Sequence, residues 1–312
     1  MLHLTIDDFD LRAIAESGQC FRMTEVGSLK PGFPVYKVIA SGSCLLISGD
    51  PDGNGNSYLA GCTEAQWENF YKRYFDLETD YGIYRDKADL NDSFLQKCME
   101  YGRGIRILNQ DPWEMLISFI ISQRKSVPAI RTTVERLCAL SGMEQSIDCS
   151  EWHAMNSELP EKISYFPFPS AETLAKYSLE DINSTGTGYR SGYIMEAVRR
   201  AAHGELDLDS MGRLSDDELL QALLGIQGVG IKVASCTALF GFHRLSICPE
   251  DVWMKRVKEQ FYSGEWPESY KPALGVLQQY MFYYARLEHE KEKIKENAKI
   301  NSFLSGCSFP KT

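Results

Sequence analysis

Leu224 to Lys258 reads LGIQGVGIKVASCTALFGFHRLSICPEDVWMKRVK, and this stretch decides the fold. Just upstream, Ser215-Asp-Asp-Glu218 has the spacing of a capping box, so a helix opens there and ends near Gly225. Gly228-Val229-Gly230 then makes a tight turn, and Lys232 opens a second helix. Glycines at 228 and 230 let the backbone approach another chain closely, and the first N–H groups of the second helix point outward with positive dipole character. The turn is therefore an anion cradle suited to a sequence-independent phosphate contact. Lys232 lies one turn into that helix, and Asp251 follows Pro249 after a short loop. A lysine amine attacks only when deprotonated, which desolvation or a cationic neighbour favours. A carboxylate beside it can stabilise cationic charge growing on a sugar or iminium. Taken singly, each residue also fits a plainer role, a solvent-facing lysine and a helix N-cap.

Toward the N-terminus, Val35 to Ser48 is rich in β-branched and aromatic residues, and Asp50-Pro-Asp-Gly-Asn-Gly-Asn-Ser57 is dense turn chemistry. Beyond Thr63, whose Thr-x-x-Gln spacing suggests another capping box, the apolar period becomes helical. Helices are predicted over Leu90–Tyr101, Trp113–Ile121, Pro128–Leu140, Gly192–Ala202, Ser215–Leu224, Lys232–Phe242 and Pro272–Arg286. Pro160 to Pro169, with three prolines, reads as a loop within the helical part, and the Lys/Glu-rich chain after Glu288 as a tail that frays from the last helix. The expected fold class is α+β, with an N-terminal antiparallel β-sheet domain over residues 1–88 and a mostly α-helical region over 89–312. Within the latter, 105–210 form a helical subdomain. Residues 211–290 hold the hairpin and the helices around Lys232 and Asp251, packing with a helix at 89–104, and 291–312 are the tail.

The chain has 312 residues, 44% hydrophobic and 24% charged, which excludes disorder and collagen-like order. Its longest apolar stretch, Met115 to Ile121, is far short of a membrane span, and Met-Leu-His-Leu-Thr-Ile-Asp-Asp at the start is no secretory signal. An intracellular, reducing location is expected. Nine scattered cysteines lack the spacing of a zinc, redox or iron-sulfur motif and read as buried free thiols. The formal charge of −10 argues at first sight against a polyanionic partner. Its distribution is uneven, however. Glu144 to Ser184 holds eight acidic and two basic residues, whereas Ser122 to Arg136 holds four basic and one acidic, and Ile226 to Lys258 five basic and two acidic. Local fields, not the total, decide where DNA can dock.

The hairpin, Lys232 and the Pro249-x-Asp251-Val252 element resemble the helix-hairpin-helix DNA glycosylase superfamily. Gly18-Gln-Cys-Phe-Arg-Met23, Gly104-Ile-Arg-Ile-Leu-Asn-Gln-Asp-Pro-Trp-Glu114, Gly186-Thr-Gly-Tyr-Arg190 and Gly275 to Phe282 are similar, in order, to motifs of the 8-oxoguanine DNA glycosylase family within it. The resemblance implies a glycosylase with lyase activity on duplex DNA containing 8-oxoguanine. Lys232 would attack the sugar C1′ and form a Schiff base, and Asp251 would stabilise the cationic transition state. Gly18 would offer its carbonyl to the lesion's N7–H, Cys236 and Phe282 would sandwich the extruded purine, and Gln278 would bind its Watson-Crick edge. Tyr189 would wedge beside the estranged base and Arg190 would hydrogen-bond it, while Gly228 and Gly230 would hold phosphate. No metal or organic cofactor and no membrane is required, and nothing demands more than a monomer.

Helical spacing agrees independently, since Lys232 with Cys236 and Gln278 with Phe282 are each four apart on one face. The sequence also departs from the resemblance. Where eukaryotic members have Cys-Ser-Ser-Asn-Asn-Asn followed by a helical arginine, this chain reads Ile121-Ser-Gln-Arg-Lys-Ser126, with Arg124 in place of the orphan-site asparagine and Ala129 at the arginine's position. Trp253 stands where those members have a phosphate-contacting histidine. Weaker preference for cytosine opposite the lesion is therefore expected. Three competing readings are a monofunctional alkylpurine glycosylase, which needs no amine, a non-catalytic hairpin DNA binder, and a Schiff-base aldolase. The first leaves Lys232 unexplained, and the second Gly18, Gln278 and Phe282 as well. The third leaves the phosphate-cradling turn without a use.

Overall fold

A computed structural model describes residues 1–306 except Lys87, with side chains placed as far as His289 and at Lys291. Strands β1 (Leu2–Thr5), β2 (Met23–Ser28), β3 (Pro34–Ala40), β4 (Ser43–Gly49) and β5 (Ser57–Ala60) form one sheet of order β1-β5-β4-β3-β2, antiparallel throughout. Ser41 and Gly42, at φ 46° and 80°, close the β3–β4 hairpin with a two-residue turn, which fixes Ala40 opposite Ser43. The period of two then sorts the side chains. Tyr36, Val38, Leu45, Ile47, Tyr58 and Ala60 pack on one face with Phe9, Ile14 and Trp67. Val35, Leu46 and Leu59 pack on the other with Trp152, Leu159 and Ile163.

That second face corrects the expected loop. Two short strands, β6 (Gln145–Asp148) and β7 (Lys162–Tyr165), pair antiparallel and help cover the sheet. Pro160 and Pro167 flank β7 without interrupting it, and four residues are too few for alternation to stand out against proline-rich surroundings.

The long helices are α1 (Ser93–Tyr101), α2 (Pro112–Ser122), α3 (Val127–Leu140), α4 (Ser191–Ala202), α5 (Asp216–Leu224), α6 (Ile231–Phe240), α7 (Val252–Tyr262) and α8 (Leu274–Gly306). Caps set their starts. Asp92 accepts from Leu95 N and so starts α1 three residues later than predicted, and Asp111 caps α2 with Pro112 in its first turn. The capping boxes at Thr63 and Ser215 both form. Helix α8 runs on to Gly306, well past the predicted end at Arg286, while Cys307 and the last residues of the expected tail lie outside the described residues.

Helix α2 is buried nearly all round, with Met115, Leu116, Ile117, Phe119, Ile120 and Ile121 inside, and it packs between α3 and α6. The core around it also takes in Ala13, Phe21 and Tyr81 from the N-terminal part. The eight described cysteines are free thiols, six of them buried. Among the described residues no helix is long and apolar enough to cross a membrane.

Candidate active site

Five pieces of chain meet at a cavity of about 50 Å³. They are the Ser17-Gly18 turn, Phe119 of α2, Lys232, Cys236 and Phe240 of α6, Pro249 and Asp251 ahead of α7, and Gln278, Gln279 and Phe282 of α8. The six residues singled out for catalysis and base binding, Gly18, Lys232, Cys236, Asp251, Gln278 and Phe282, thus all line one space.

Gly18 has φ 80°, and a Cβ there would sit 3.1 Å from Cε1 of Phe282, so the turn needs glycine on both counts. Its neighbours hold it rigidly. The Ser17 hydroxyl donates to Ile14 O at 2.8 Å, and Gln19 Nε2 donates to Ser17 Oγ at 2.9 Å and Arg106 O at 2.8 Å. With Phe282 against Gly18 the cavity has room for one or two waters, at roughly 30 Å³ each.

Lys232 Nζ donates to Ser122 Oγ at 3.2 Å and lies 5.0 Å from the centroid of the Phe119 ring. Cys236, one turn further along α6, lines the same cavity. Burial pushes the Cys236 thiol pKa up, against the pull of Lys232, so the thiol stays protonated. Asp251 is the N-cap of α7, and its Oδ1 accepts from Trp253 N at 2.9 Å and Met254 N at 3.0 Å. The plain reading of Asp251 as a helix N-cap therefore holds, and the cap keeps the carboxylate at the cavity. Among the described residues Lys232 and Asp251 form no ion pair with each other. Gln278 is buried, and its Oε1 accepts from Gln279 Nε2 at 2.9 Å.

Outside the cavity the two hairpin glycines differ. Gly228, at φ 82°, would bring a Cβ within 2.2 Å of the Tyr193 ring, so α4 of the same chain demands glycine there. Gly230 caps α6 in an extended conformation and faces open space. The Cβ side of the hairpin is thus covered at Gly228 and open at Gly230.

The corner between α2 and α3 joins the hairpin to the Gly186–Arg190 turn. Gln123 Nε2 donates to Gly228 O at 3.1 Å, and Lys125 Nζ donates to Gly186 O at 2.6 Å and Thr133 Oγ1 at 2.7 Å. Burial, with Arg190 and Arg136 nearby, lowers the Lys125 pKa. Arg124 is exposed and sits at φ 53°, a left-handed conformation that suits asparagine better than arginine. Tyr189 is 57% exposed. Arg190 is not presented beside it: only 5% exposed, it stacks on Tyr189 with its guanidinium 4.3 Å from the ring centroid and donates to Thr187 O and Gln123 O. The expected base contact has Arg190 facing outward, and here backbone carbonyls hold it inward.

Sequence reasoning missed Ser122 and Phe119 as neighbours of the lysine and Gln123 as the tie to the hairpin. Ser122 is 110 residues from Lys232, and no local pattern marks it. Trp253 has Arg256 5.6 Å from its ring centroid and His289 packed edge-on at 4.9 Å.

The placement of Lys232 directly behind a two-glycine hairpin, on one cavity with a capping aspartate, puts the chain in the class of helix-hairpin-helix DNA glycosylases. Residues 1–116 match the family model described as 8-oxoguanine DNA glycosylase, N-terminal domain. A solved structure of MBOgg1 in complex with a low affinity DNA ligand is 30% identical and superposes with a TM-score of 0.79 over 92% of this chain and 96% of that one. The 8-oxoguanine glycosylase/lyase of Clostridium acetobutylicum, in complex with double-stranded DNA containing cytosine opposite 8-oxoG, is 27% identical with a TM-score of 0.76 over 93% and 99%. The chain belongs to the 8-oxoguanine DNA glycosylase family. Among curated relatives, a probable N-glycosylase/DNA lyase of Methanothermobacter thermautotrophicus is 31% identical over 63% of this chain, and the N-glycosylase/DNA lyase OGG1 of Arabidopsis thaliana 28% over 81%. The chain spans 63% and 66% of those relatives' lengths, less than two thirds of each.

Proposed function

We propose that this protein excises 8-oxoguanine from duplex DNA and nicks the strand at the site left behind. The observation that carries the reading is the convergence of Gly18, Lys232, Cys236, Asp251, Gln278 and Phe282, from three distant parts of the chain, on one cavity. The lesion rotates out of the helix, since chemistry at its sugar is out of reach in the stack. Phe282 moves off Gly18 and closes on the purine from one side, with Cys236 on the other and Gln278 at its Watson-Crick edge. The carbonyl of Gly18 accepts the N7–H that 8-oxoguanine has and guanine lacks. Guanine would place an acceptor against an acceptor, a mismatch of about 1–3 kcal/mol in a dry pocket.

The Nζ lone pair of Lys232 forms a bond to C1′ as the C1′–N9 bond breaks, its electron pair leaving on the base, which takes up a proton. The nitrogen loses a proton, and its lone pair then forms the C=N bond as the C1′–O4′ bond breaks and O4′ takes up a proton, opening the sugar ring to a protonated Schiff base. Removal of a C2′ proton then expels the 3′ phosphate and nicks the strand. Asp251 stabilises the positive charge that develops on the sugar, and none of these steps calls on a metal or organic cofactor. Tyr189 fills the vacated stack. Arg190, released from the carbonyls of Gln123 and Thr187, reaches the estranged base, and Arg124 borders it. Gly228 and Gly230 present backbone N–H groups to phosphate. Residues 1–88 would supply the Gly18 rim and residues 89–312 the nucleophile, in a single chain acting inside the cell where DNA is. Because Ala129 offers no guanidinium, preference for cytosine is weaker than in relatives with two reading arginines.

The test is an end-labelled duplex with one 8-oxoguanine opposite cytosine, beside the same duplex with guanine. A strand nick in the lesion duplex alone is the expected result. Base release without a nick would reduce the reading to a monofunctional glycosylase, and an unchanged lesion duplex would overturn it.

A further inference from the structure

We propose that Ser122 is a positioning residue for the nucleophile, fixing which way the Lys232 lone pair points; the inference rests on the glycosylase reading above. Ser122 is the last residue of α2 and 7% exposed, and its hydroxyl lies between two partners. It donates its one hydrogen to Phe119 O at 2.8 Å, so only its lone pairs face Lys232 Nζ at 3.2 Å. Ser122 can therefore only accept from the amine. The Phe119 ring, 5.0 Å from Nζ, likewise presents a negative face that attracts N–H and repels a lone pair.

Cys236, one turn further along α6, lines the same cavity as Lys232. A neutral amine has two hydrogens and one lone pair. Ser122 and the Phe119 ring are fixed as acceptors, so they keep the two hydrogens and the lone pair points away from both, into the cavity where Cys236 and Phe282 are to hold the base. Attack at C1′ then begins with the lone pair already aimed, and without Ser122 the amine is free to rotate away. The other ties of the corner keep Ser122 in place: Gln123, its neighbour, is bonded to Ile120 O and to Gly228 O of the hairpin.

Ser122→Ala and Ser122→Thr, beside the wild type, are tested with a duplex containing 8-oxoguanine opposite cytosine, measuring dissociation constants and single-turnover rates of covalent trapping in borohydride. Ser122→Ala is expected to bind the duplex within about twofold of wild type but to trap about 10- to 100-fold more slowly, as misoriented reacting groups do. Ser122→Thr, which keeps the hydroxyl, is expected to recover most of the rate. A Ser122→Ala rate equal to wild type overturns the proposal, and so does a threonine variant as slow as the alanine one, which would mean packing and not the hydroxyl. A wild type that binds but never traps sinks the lyase reading itself, and the proposal with it.

Discussion

Residues 226–232 and residues 122–125 border the nucleophile from two sides, yet they hold their shapes by opposite means. The hairpin is set by local chemistry: Val229 N bonds back to Ile226 O, Gly228 takes the left-handed conformation, and Gly230 opens α6. The corner is set by partners 61 to 110 residues away, through Lys125 to Gly186, Arg190 to Gln123, Gln123 to Gly228 and Lys232 to Ser122. The local motif places Lys232 at the start of α6, and the long-range corner ties that helix start to the Gly186–Arg190 turn.

The largest effect is expected at Asp251, which lines the cavity from the start of α7. Asp251→Asn keeps an N-cap of equal quality but removes the charge, so excision is expected to slow on the order of 100-fold with the melting temperature unchanged. Equal losses of rate and of melting temperature would mean that the carboxylate serves only the helix. On the corner side, Ala129 is exposed in α3, and Ala129→Arg is expected to raise the cytosine-over-adenine excision ratio about tenfold, the discrimination of one bidentate arginine. Wild-type protein that already rejects adenine strongly, or an unchanged ratio in the variant, would contradict the role given to this position.

Smaller effects sharpen the contrast within the turn. Gly228→Ala drives a methyl into Tyr193 and should destabilise by about 1–3 kcal/mol in thermal unfolding, whereas Gly230→Ala should cost under about 0.5 kcal/mol. Equal losses would show that the turn is not held by α4.

The smallest effect belongs to α2, the helix that ends in Ser122. Burial pushes its Glu114 up to about 7 despite Arg22 nearby, so the folded state holds this proton to higher pH than the unfolded chain does. Stability is therefore lost as pH rises from the ordinary carboxylate range through about 7. Glu114→Gln should melt higher than wild type at pH 8 and alike at pH 5. A variant that melts lower at pH 8 would show that the ionised carboxylate is stabilising.

What could be read from the sequence follows the same division. The hairpin and both capping boxes were legible in short patterns of fixed spacing, whereas the six cavity residues came from the family resemblance, with helical periods placing Lys232 with Cys236 and Gln278 with Phe282. Strand β7 was not, since four residues among prolines carry no period. Ser122 and Gln123 were quoted only as a departure from a motif, because their partners lie far along the chain. The inward fold of Arg190 was invisible for the same reason, as the carbonyls of Thr187 and Gln123 that hold it have no signature in residue type.

The central claim is that Lys232 is the nucleophile acting on the sugar of an extruded 8-oxoguanine. It is tested most directly by incubating wild type and Lys232→Gln with a duplex containing 8-oxoguanine opposite cytosine, and with an undamaged duplex, in sodium borohydride. The expected result is a covalent protein–DNA complex formed only with wild type and only on the lesion duplex, while Lys232→Gln still binds that duplex. A complex of equal yield with Lys232→Gln, or none with wild type that binds the lesion, would contradict it.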